Sequence, residues 1–255
     1  MLIEAALNGG RSREEHPAIP QSPAELAQAA KESVAAGAGA IHFHVRAPDG
    51  RESIAPEDVA AAVTSVRAAI PGTPFGVSTG AWILRDAALR HKLVSEWTVL
   101  PDFAAVNFKE DGAEDLARLL LSRGVALEIG FTDPQGTEAF VARGLAARCL
   151  RILLEPQEAS ADAALENVRA IEAVLDRGGV KLPRLLHGLD ATAWKIIDAA
   201  IARGLATRVG FEDILTLPGG KLAATNAELV AETLRRAASS RPPADPFSPP
   251  PAPWS

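Results

Sequence analysis

The sequence predicts a TIM (β/α)8 barrel, and three observations lead to this prediction. Short apolar segments alternate with helical segments of roughly a dozen residues, an order that is typical of a parallel sheet. Eight such units fit into 255 residues, close to the usual size of this barrel. An open doubly wound sheet is disfavoured because no Gly-x-Gly-x-x-Gly motif follows the first strand. The predicted strands are Ile3–Asn8, Ala40–Val45, Phe75–Thr79, Phe103–Phe108, Ala126–Phe131, Cys149–Glu155, Leu185–Leu189 and Thr207–Glu212.

The helices between these strands are indicated by their end signals. Ser22-Pro23 before Glu25 and Thr225-Asn226 before Glu228 match the preferred residues of a helix start. Glycines close several helices, where a left-handed residue ends the hydrogen-bond ladder. The clearest predicted helices are Pro23–Ala36, Pro56–Ala69, Glu114–Arg123, Leu165–Arg177, Thr192–Ala202 and Asn226–Ala238. We therefore expect one catalytic domain over residues 1–238, followed by a Pro-rich tail at 239–255.

Composition excludes several classes of protein. The formal net charge is −6 and no run of Lys or Arg occurs, which argues against a nucleic-acid partner. A single cysteine, Cys149, excludes an intramolecular disulfide or a cysteine-based zinc site. No basic leader or long apolar segment is present. We therefore expect a soluble cytoplasmic protein with no membrane partner.

The second predicted strand carries the clearest sign of chemistry. Because successive strand side chains point to opposite faces, His42 and His44 share one face while Ile41 and Phe43 share the other. Two neutral imidazoles at this spacing can bind one divalent ion, and zinc is the leading candidate. The alternative is a pair of structural histidines that form hydrogen bonds inside a polar barrel mouth.

Polar residues at the carboxyl ends of the other strands are the remaining candidates, since TIM-barrel active sites lie there. Glu212 can complete a two-histidine, one-carboxylate metal site, or it can form a salt bridge with Arg208 or Arg46. Asp213 can act as a base beside the metal or form a turn. Arg208 suits a carboxylate of the substrate or of the protein. Further polar candidates are Ser78 and Asn107, for substrate contact or local hydrogen bonding, Glu128 and Glu155 at strand ends, and His187, whose facing is ambiguous.

Six segments together resemble the β-keto acid cleavage enzymes, the family of 3-keto-5-aminohexanoate cleavage. The likeness covers residues 1–238 in the same order. The segments are Ala6-Leu7-Asn8-Gly9-Gly10, His42-Phe43-His44-Val45-Arg46-Ala47-Pro48-Asp49-Gly50, Val77-Ser78-Thr79-Gly80, Arg208-Val209-Gly210-Phe211-Glu212-Asp213 and Leu217-Pro218-Gly219-Gly220-Lys221-Leu222-Ala223 with the Thr225-Asn226 segment after it.

The resemblance implies a zinc-dependent barrel that condenses a β-keto acid with acetyl-CoA and releases acetoacetate and a new acyl-CoA. It implies that His42, His44 and Glu212 bind zinc and that Ser78 contacts substrate. It also implies that Arg208 and Asp213 handle the keto acid and that the chain forms a homo-oligomer, a tetramer. Asn107 and Glu128 remain the other candidates for substrate binding.

Three positions depart from the family pattern. Arg11 lies where the amino-substrate enzyme has a glutamate, so we expect a neutral or acidic substrate tail bound near Arg11. Ala105 replaces a hydroxyl residue. Glu155-Pro156-Gln157-Glu158 replaces a glycine-rich loop associated with CoA. Two other functions stay open, a zinc hydrolase of amidohydrolase type and a non-catalytic metabolite-binding barrel.

Overall fold

The eight predicted strands form one closed, all-parallel barrel in the order of the chain. The structure is a computed structural model and describes residues 1–240. The strands are β1 Ile3–Ala6, β2 Ala40–Phe43, β3 Phe75–Ser78, β4 Phe103–Asn107, β5 Ala126–Phe131, β6 Arg151–Leu154, β7 Arg184–Leu186 and β8 Ala206–Val209. The TIM-barrel prediction is therefore confirmed. Most strands end one to three residues earlier than predicted, because their last predicted residues already belong to the loops of the mouth.

One helix follows each strand. The helices are α1 Pro23–Ala35, α2 Pro56–Ala69, α3 Ala87–Ser95, α4 Ala113–Ser122, α5 Pro134–Arg143, α6 Ala161–Arg177, α7 Ala193–Ala202 and α8 Asn226–Ser239. Ser22 caps α1 as predicted: its side chain accepts from the Glu25 backbone, and the Glu25 side chain accepts from the Ser22 backbone. Sequence analysis did not single out α3 and α5. Helix α8 continues through Ser239, one residue past the predicted domain boundary, and most of the predicted tail lies outside the described residues.

The apolar core lies between the sheet and the surrounding helices. Ile41, Phe43 and Val77 point outward from their strands into this layer and are fully buried or nearly so. Burial of such side chains stabilises the fold by about 1.5–3 kcal/mol each. Along the described residues, no helix has the length and apolar character needed to cross a membrane.

The inside of the barrel is charged. The interior of a TIM barrel is usually filled by branched apolar side chains, yet Glu4, Glu128 and Arg151 are buried here. Arg151 donates hydrogen bonds to both carboxylates, and its guanidinium lies 4.8 Å from the centre of the Phe103 ring. This ion-pair layer forms the floor beneath the mouth of the barrel.

Candidate active site at the barrel mouth

His42, His44 and Glu212 meet at the mouth of the barrel. His42 Nε2 lies 3.6 Å from Glu212 Oε2 and His44 Nε2 lies 3.4 Å from Glu212 Oε1. One ligand atom from each residue lies within 4.8 Å of the other two. Two imidazole nitrogens and one carboxylate are a common zinc donor set that leaves a position open for another ligand. The structure thus brings the three predicted ligands together.

Strand β2 and its continuation place the two histidines. His42 lies within β2 and pairs with Ala6 of β1, whereas His44 follows the end of the strand. Asn8 holds His44 there: the His44 backbone N–H donates to Asn8 Oδ1 at 2.8 Å, and Asn8 Nδ2 donates to the His44 carbonyl at 2.9 Å. Asn8 therefore acts as a backbone clamp between the first two strand ends.

Two glycines leave the space that the Glu212 side chain needs to reach the site. Gly210 follows β8, and a Cβ at this position would overlap the Ala6 carbonyl of β1. Gly9 has a left-handed backbone, with φ of 54°, and a Cβ there would overlap the Glu212 side chain. Strands β1 and β8 can therefore approach closely enough for Glu212 to reach the histidines of β2.

The two histidines have opposite electrostatic surroundings. Burial lowers the pKa of His42 to about 3, despite the neighbouring Glu212 carboxylate, so this imidazole is neutral. Burial also disfavours the charged form of His44, but Glu212 and Glu52 outweigh it and raise its pKa to about 9. Burial raises the pKa of Glu212, yet Arg208 and the histidines hold it well below its usual range. A bound cation would displace the His44 proton from Nε2.

Arg208 joins the third ligand to the predicted base. Its Nη2 donates to Asp213 Oδ1 at 2.7 Å and to Glu212 Oε1 at 3.1 Å. Burial alone would lower the pKa of Arg208, but the Asp213 and Glu212 carboxylates raise it well above its usual range. The Asp213 side chain is fully buried, and its Oδ2 has no hydrogen-bond partner among the described residues.

His187 faces this pair, which resolves the ambiguity left by the sequence. It follows β7, is fully buried, and its Nδ1 lies 3.3 Å from Asp213 Oδ1 without hydrogen-bond geometry. The carboxylate of Asp213 is thus held on Oδ1 by Arg208, while Oδ2 has no hydrogen-bond partner among the described residues.

Sequence analysis missed two residues at this site. Glu52 lies in the loop after β2, and its Oε1 is 2.5 Å from His44 Nδ1. Trp82, in the loop after β3, donates from Nε1 to the same Glu52 oxygen at 3.0 Å, and its ring stacks on His44 with centroids 5.9 Å apart. The available signal was the presence of a carboxylate and an aromatic residue in loops that follow strands.

Two predicted substrate contacts line the mouth on the side of β3 and β4. Ser78 is the last residue of β3, is buried, and its hydroxyl accepts from the Gly80 backbone at 3.4 Å. Asn107 is the last residue of β4 and donates to Glu110 at 3.2 Å. Asn107 and Trp82 also border a cavity of about 180 Å³ that extends toward Thr132.

The other two predicted contacts have protein partners of their own. Arg11 donates to the Glu212 carbonyl at 3.1 Å and forms ion pairs with Asp190 at 2.5 Å and Glu15 at 3.2 Å. Two carboxylates therefore balance the positive charge of Arg11 in this structure, and the predicted contact with a substrate tail stays a prediction. Glu128 lies in the floor layer with Arg151, away from the open mouth.

A second group of possible ligands, Glu4, His42 and Glu128, lies inside the barrel. Arg151 donates to both of its carboxylates. Its guanidinium already supplies the positive charge that a cation would bring, and a further cation there would meet like charge. The three-residue group at the mouth is therefore the better cation site.

The fold and the site define a (β/α)8 barrel with a two-histidine, one-carboxylate centre at its catalytic end. A family model described as beta-keto acid cleavage enzyme matches residues 1–247. The chain belongs to this family.

Individual relatives agree with the assignment. The chain is 27% identical to the 3-keto-5-aminohexanoate cleavage enzyme of Fusobacterium nucleatum, over 93% of this chain and 91% of that one. It is 35% identical to the enzyme of that name from Acetoanaerobium sticklandii over 31% of this chain and 30% of that one.

Solved structures support the fold. A structure titled "Ternary complex of ObcA with C4-CoA adduct and oxalate" is similar with a TM-score of 0.68 at 20% identity. That match covers 88% of this chain and 64% of the solved chain, so this chain spans a little under two thirds of its length. The 3-dehydroquinate dehydratase of Aquifex aeolicus has a TM-score of 0.54 at 14% identity, over 94% of this chain and 99% of that one.

Proposed function

We propose that this protein is a zinc-dependent enzyme that transfers the acyl group of a β-keto acid to CoA. A β-keto acid and acetyl-CoA would give acetoacetate and a new acyl-CoA, a carbon–carbon cleavage of the retro-Claisen type. One observation carries the proposal: the His42, His44 and Glu212 group is joined through Arg208 to Asp213, whose second carboxylate oxygen is free.

His42, His44 and Glu212 fit a zinc ion. His42 is neutral, and Glu212 Oε2 is buried without a hydrogen-bond partner among residues 1–240. A buried carboxylate oxygen without a partner is costly, and a bound cation would satisfy it. When bound, the ion supplies Lewis acidity, which favours the enolate form of the substrate.

Asp213 is the proposed general base. The proton that must leave the substrate lies on the carbon between its carbonyl and carboxylate, and Asp213 Oδ2 is the free acceptor beside the ligands. Arg208 holds the other oxygen, which fixes the direction of the free lone pairs. The same Arg208 holds Glu212, so the base and the third ligand keep a constant relative position.

Ser78 and Asn107 are proposed as substrate contacts, because they end β3 and β4 at the mouth and border its open side. Arg11 is proposed to contact the substrate tail only when its partner Asp190 moves away; the Asp190 side chain is 70% exposed, which leaves it room to move. For Glu128 we propose a structural role in the floor layer, in place of the predicted substrate contact.

A panel of β-keto acids tests the proposal. Zinc-loaded protein is incubated with each acid in the presence and absence of acetyl-CoA, and acyl-CoA and acetoacetate are measured together. Equal amounts of both products, only with acetyl-CoA, support the proposal. Hydrolysis without CoA would indicate a zinc hydrolase, and binding without turnover a metabolite-binding barrel; either result contradicts it.

Removal of the metal gives a second test. His44→Ala removes one of three ligands, so we expect most of the zinc to be lost and activity to fall, with little change in unfolding free energy. Metal content by elemental analysis is the readout. Full zinc retention in this variant contradicts the ligand assignment.

The cytoplasmic location and the tetramer also remain proposals. The single cysteine, Cys149, suits a reducing compartment, and the tetramer comes from the family resemblance. Light scattering of the full chain tests the assembly, and a monomer contradicts it.

A further inference from the structure

The loop after β2 folds back on itself and returns Glu52 to the site. Arg46 and Glu52 pair as an antiparallel bridge, and the backbone of Ser53 donates to Val45 at 2.9 Å. The Ala47 backbone donates to Arg51 at 2.8 Å in the same turn. Glu52, eight residues after His44 in the chain, is thereby placed directly behind the imidazole of His44.

Glu52 contacts the ring nitrogen that faces away from the other ligand. His44 Nδ1 lies 2.5 Å from Glu52 Oε1, while His44 Nε2 lies 3.4 Å from Glu212 Oε1. A carboxylate at this position accepts the Nδ1 proton and leaves Nε2 as the free nitrogen. His42 differs, because its Nδ1 has no hydrogen-bond partner among the described residues.

Trp82 holds Glu52 from a different loop. Its Nε1 donates to the Glu52 oxygen that contacts His44, and its ring covers the open side of the His44 ring at an angle of 27°. The ring lies against Gly80, where a Cβ would overlap it. Trp82 remains 52% exposed at the mouth, and its ring packs against His44 and Gly80 outside the apolar core.

We propose that Glu52 is a positioning residue, held by Trp82, that selects the Nδ1–H tautomer of His44 so that Nε2 binds the metal. The inference rests on the proposed zinc site and adds to it. Carboxylates behind a ligating histidine typically change metal affinity by about 10–100-fold. Glu52 therefore determines how tightly the ion is held without touching it.

Zinc affinity of four variants tests this inference. Zinc dissociation constants are measured by competition with a chelator for the unmodified protein, Glu52→Gln, Glu52→Asp, Trp82→Phe and the control Glu57→Gln. Glu57 is exposed in the first turn of α2, so its variant removes the same charge close by. We expect Glu52→Gln to bind zinc about 10–100-fold more weakly, and Trp82→Phe about 2–10-fold more weakly. Glu52→Asp should recover part of the loss.

A spectroscopic readout separates positioning from a general structural effect. In the zinc-loaded unmodified protein, ¹⁵N imidazole NMR should show the His44 proton on Nδ1, hydrogen-bonded and slow to exchange. In Glu52→Gln this signal should weaken or disappear, while unfolding by urea confirms that the fold is retained.

The outcomes are distinct. If the unmodified protein binds zinc and Glu52→Gln binds it as tightly as Glu57→Gln, Glu52 is not a positioning residue and the zinc site stands. If the unmodified protein binds no zinc, both the zinc site and this inference are wrong. Should Glu52→Gln fail to fold, Trp82→Phe and Glu52→Asp still decide, since unchanged affinity in both contradicts the inference.

Discussion

Replacement of Arg151 by methionine tests the ion-pair layer inside the barrel. Arg151 donates to Glu4 and Glu128, and all three side chains are buried. Methionine has a comparable length and keeps apolar contact with the Phe103 ring beneath the guanidinium. The substitution therefore removes the charge and the hydrogen bonds with little change in packed volume.

The protonation state of Glu4 sets the size of the effect. Burial and the nearby Glu128 carboxylate raise the pKa of Glu4 to about 8, against the opposing effect of Arg151. Protonation of Glu4 therefore lowers the negative charge that the Arg151 guanidinium balances in this layer. Loss of one partner of a buried ion pair costs about 3–5 kcal/mol, and we expect this loss in Arg151→Met.

Urea unfolding at pH 7 measures the loss. Arg148→Met is the control, because Arg148 is exposed near the start of the same strand and should change stability by less than about 0.5 kcal/mol. The double variant Arg151→Met with Glu128→Gln removes the uncompensated charge and should recover part of the stability. A loss below about 1 kcal/mol in Arg151→Met, or no recovery in the double variant, would show that this layer does not depend on charge pairing.

Three further predictions concern single side chains. Asp213→Asn should keep zinc and fold but lose about 10²–10⁴-fold in turnover, because an amide cannot accept the substrate proton; steady-state kinetics and metal content check this. Cys149 should react slowly with a thiol reagent at pH 8, because burial raises the pKa of its thiol to about 11, and rapidly once urea exposes it. Glu25→Gln should lower stability by up to about 1 kcal/mol at pH 7, a size typical of a half-exposed group. Hydrogen bonds from Ser22 and Gln21 hold the pKa of Glu25 at about 2, so the stabilisation is present above pH 4.5 and is lost as the pH falls toward 2.

Each of these predictions has a contradicting result. Near-normal turnover of Asp213→Asn across the pH range excludes Asp213 as the base. Fast modification of Cys149 in the folded protein means that the thiol is accessible. A stability difference for Glu25→Gln that is the same at pH 2.5 and pH 7 means that the carboxylate charge does not stabilise the start of α1.

The fold could be predicted because the alternation of strands and helices is strong in this sequence. Helices α3 and α5 were harder to predict. Helix α5 contains Gly136 and Thr137, which have low helix propensity. Helix α3 is short, and its Arg90 is buried. His42 and His44 could be predicted from the alternation of a single strand. Glu52 could not, because its place depends on how a loop folds back.

The position of Glu128 along the barrel axis is a second property that could not be predicted from the sequence. Alternation along β5 indicates correctly that its side chain points into the barrel, but it says nothing about height along the barrel axis. Height depends on the register between strands, where Glu128 pairs with Ala105 of β4 and with Arg151 of β6. That register places Glu128 next to Arg151, in the floor layer.

The close approach of Gly210 to Ala6 has a consequence for the order in which the protein matures. Gly210 follows the last strand and Ala6 ends the first, so this contact is the seam at which the barrel closes. His42 and Glu212 lie 170 positions apart in the chain and become neighbours only through that seam. On a ribosome, the nascent chain carries both histidines long before it carries the glutamate. Capture of an ion by the three proposed ligands would thus be a late event in biogenesis, and metal uptake by newly made protein would report that the two ends of the sheet have joined.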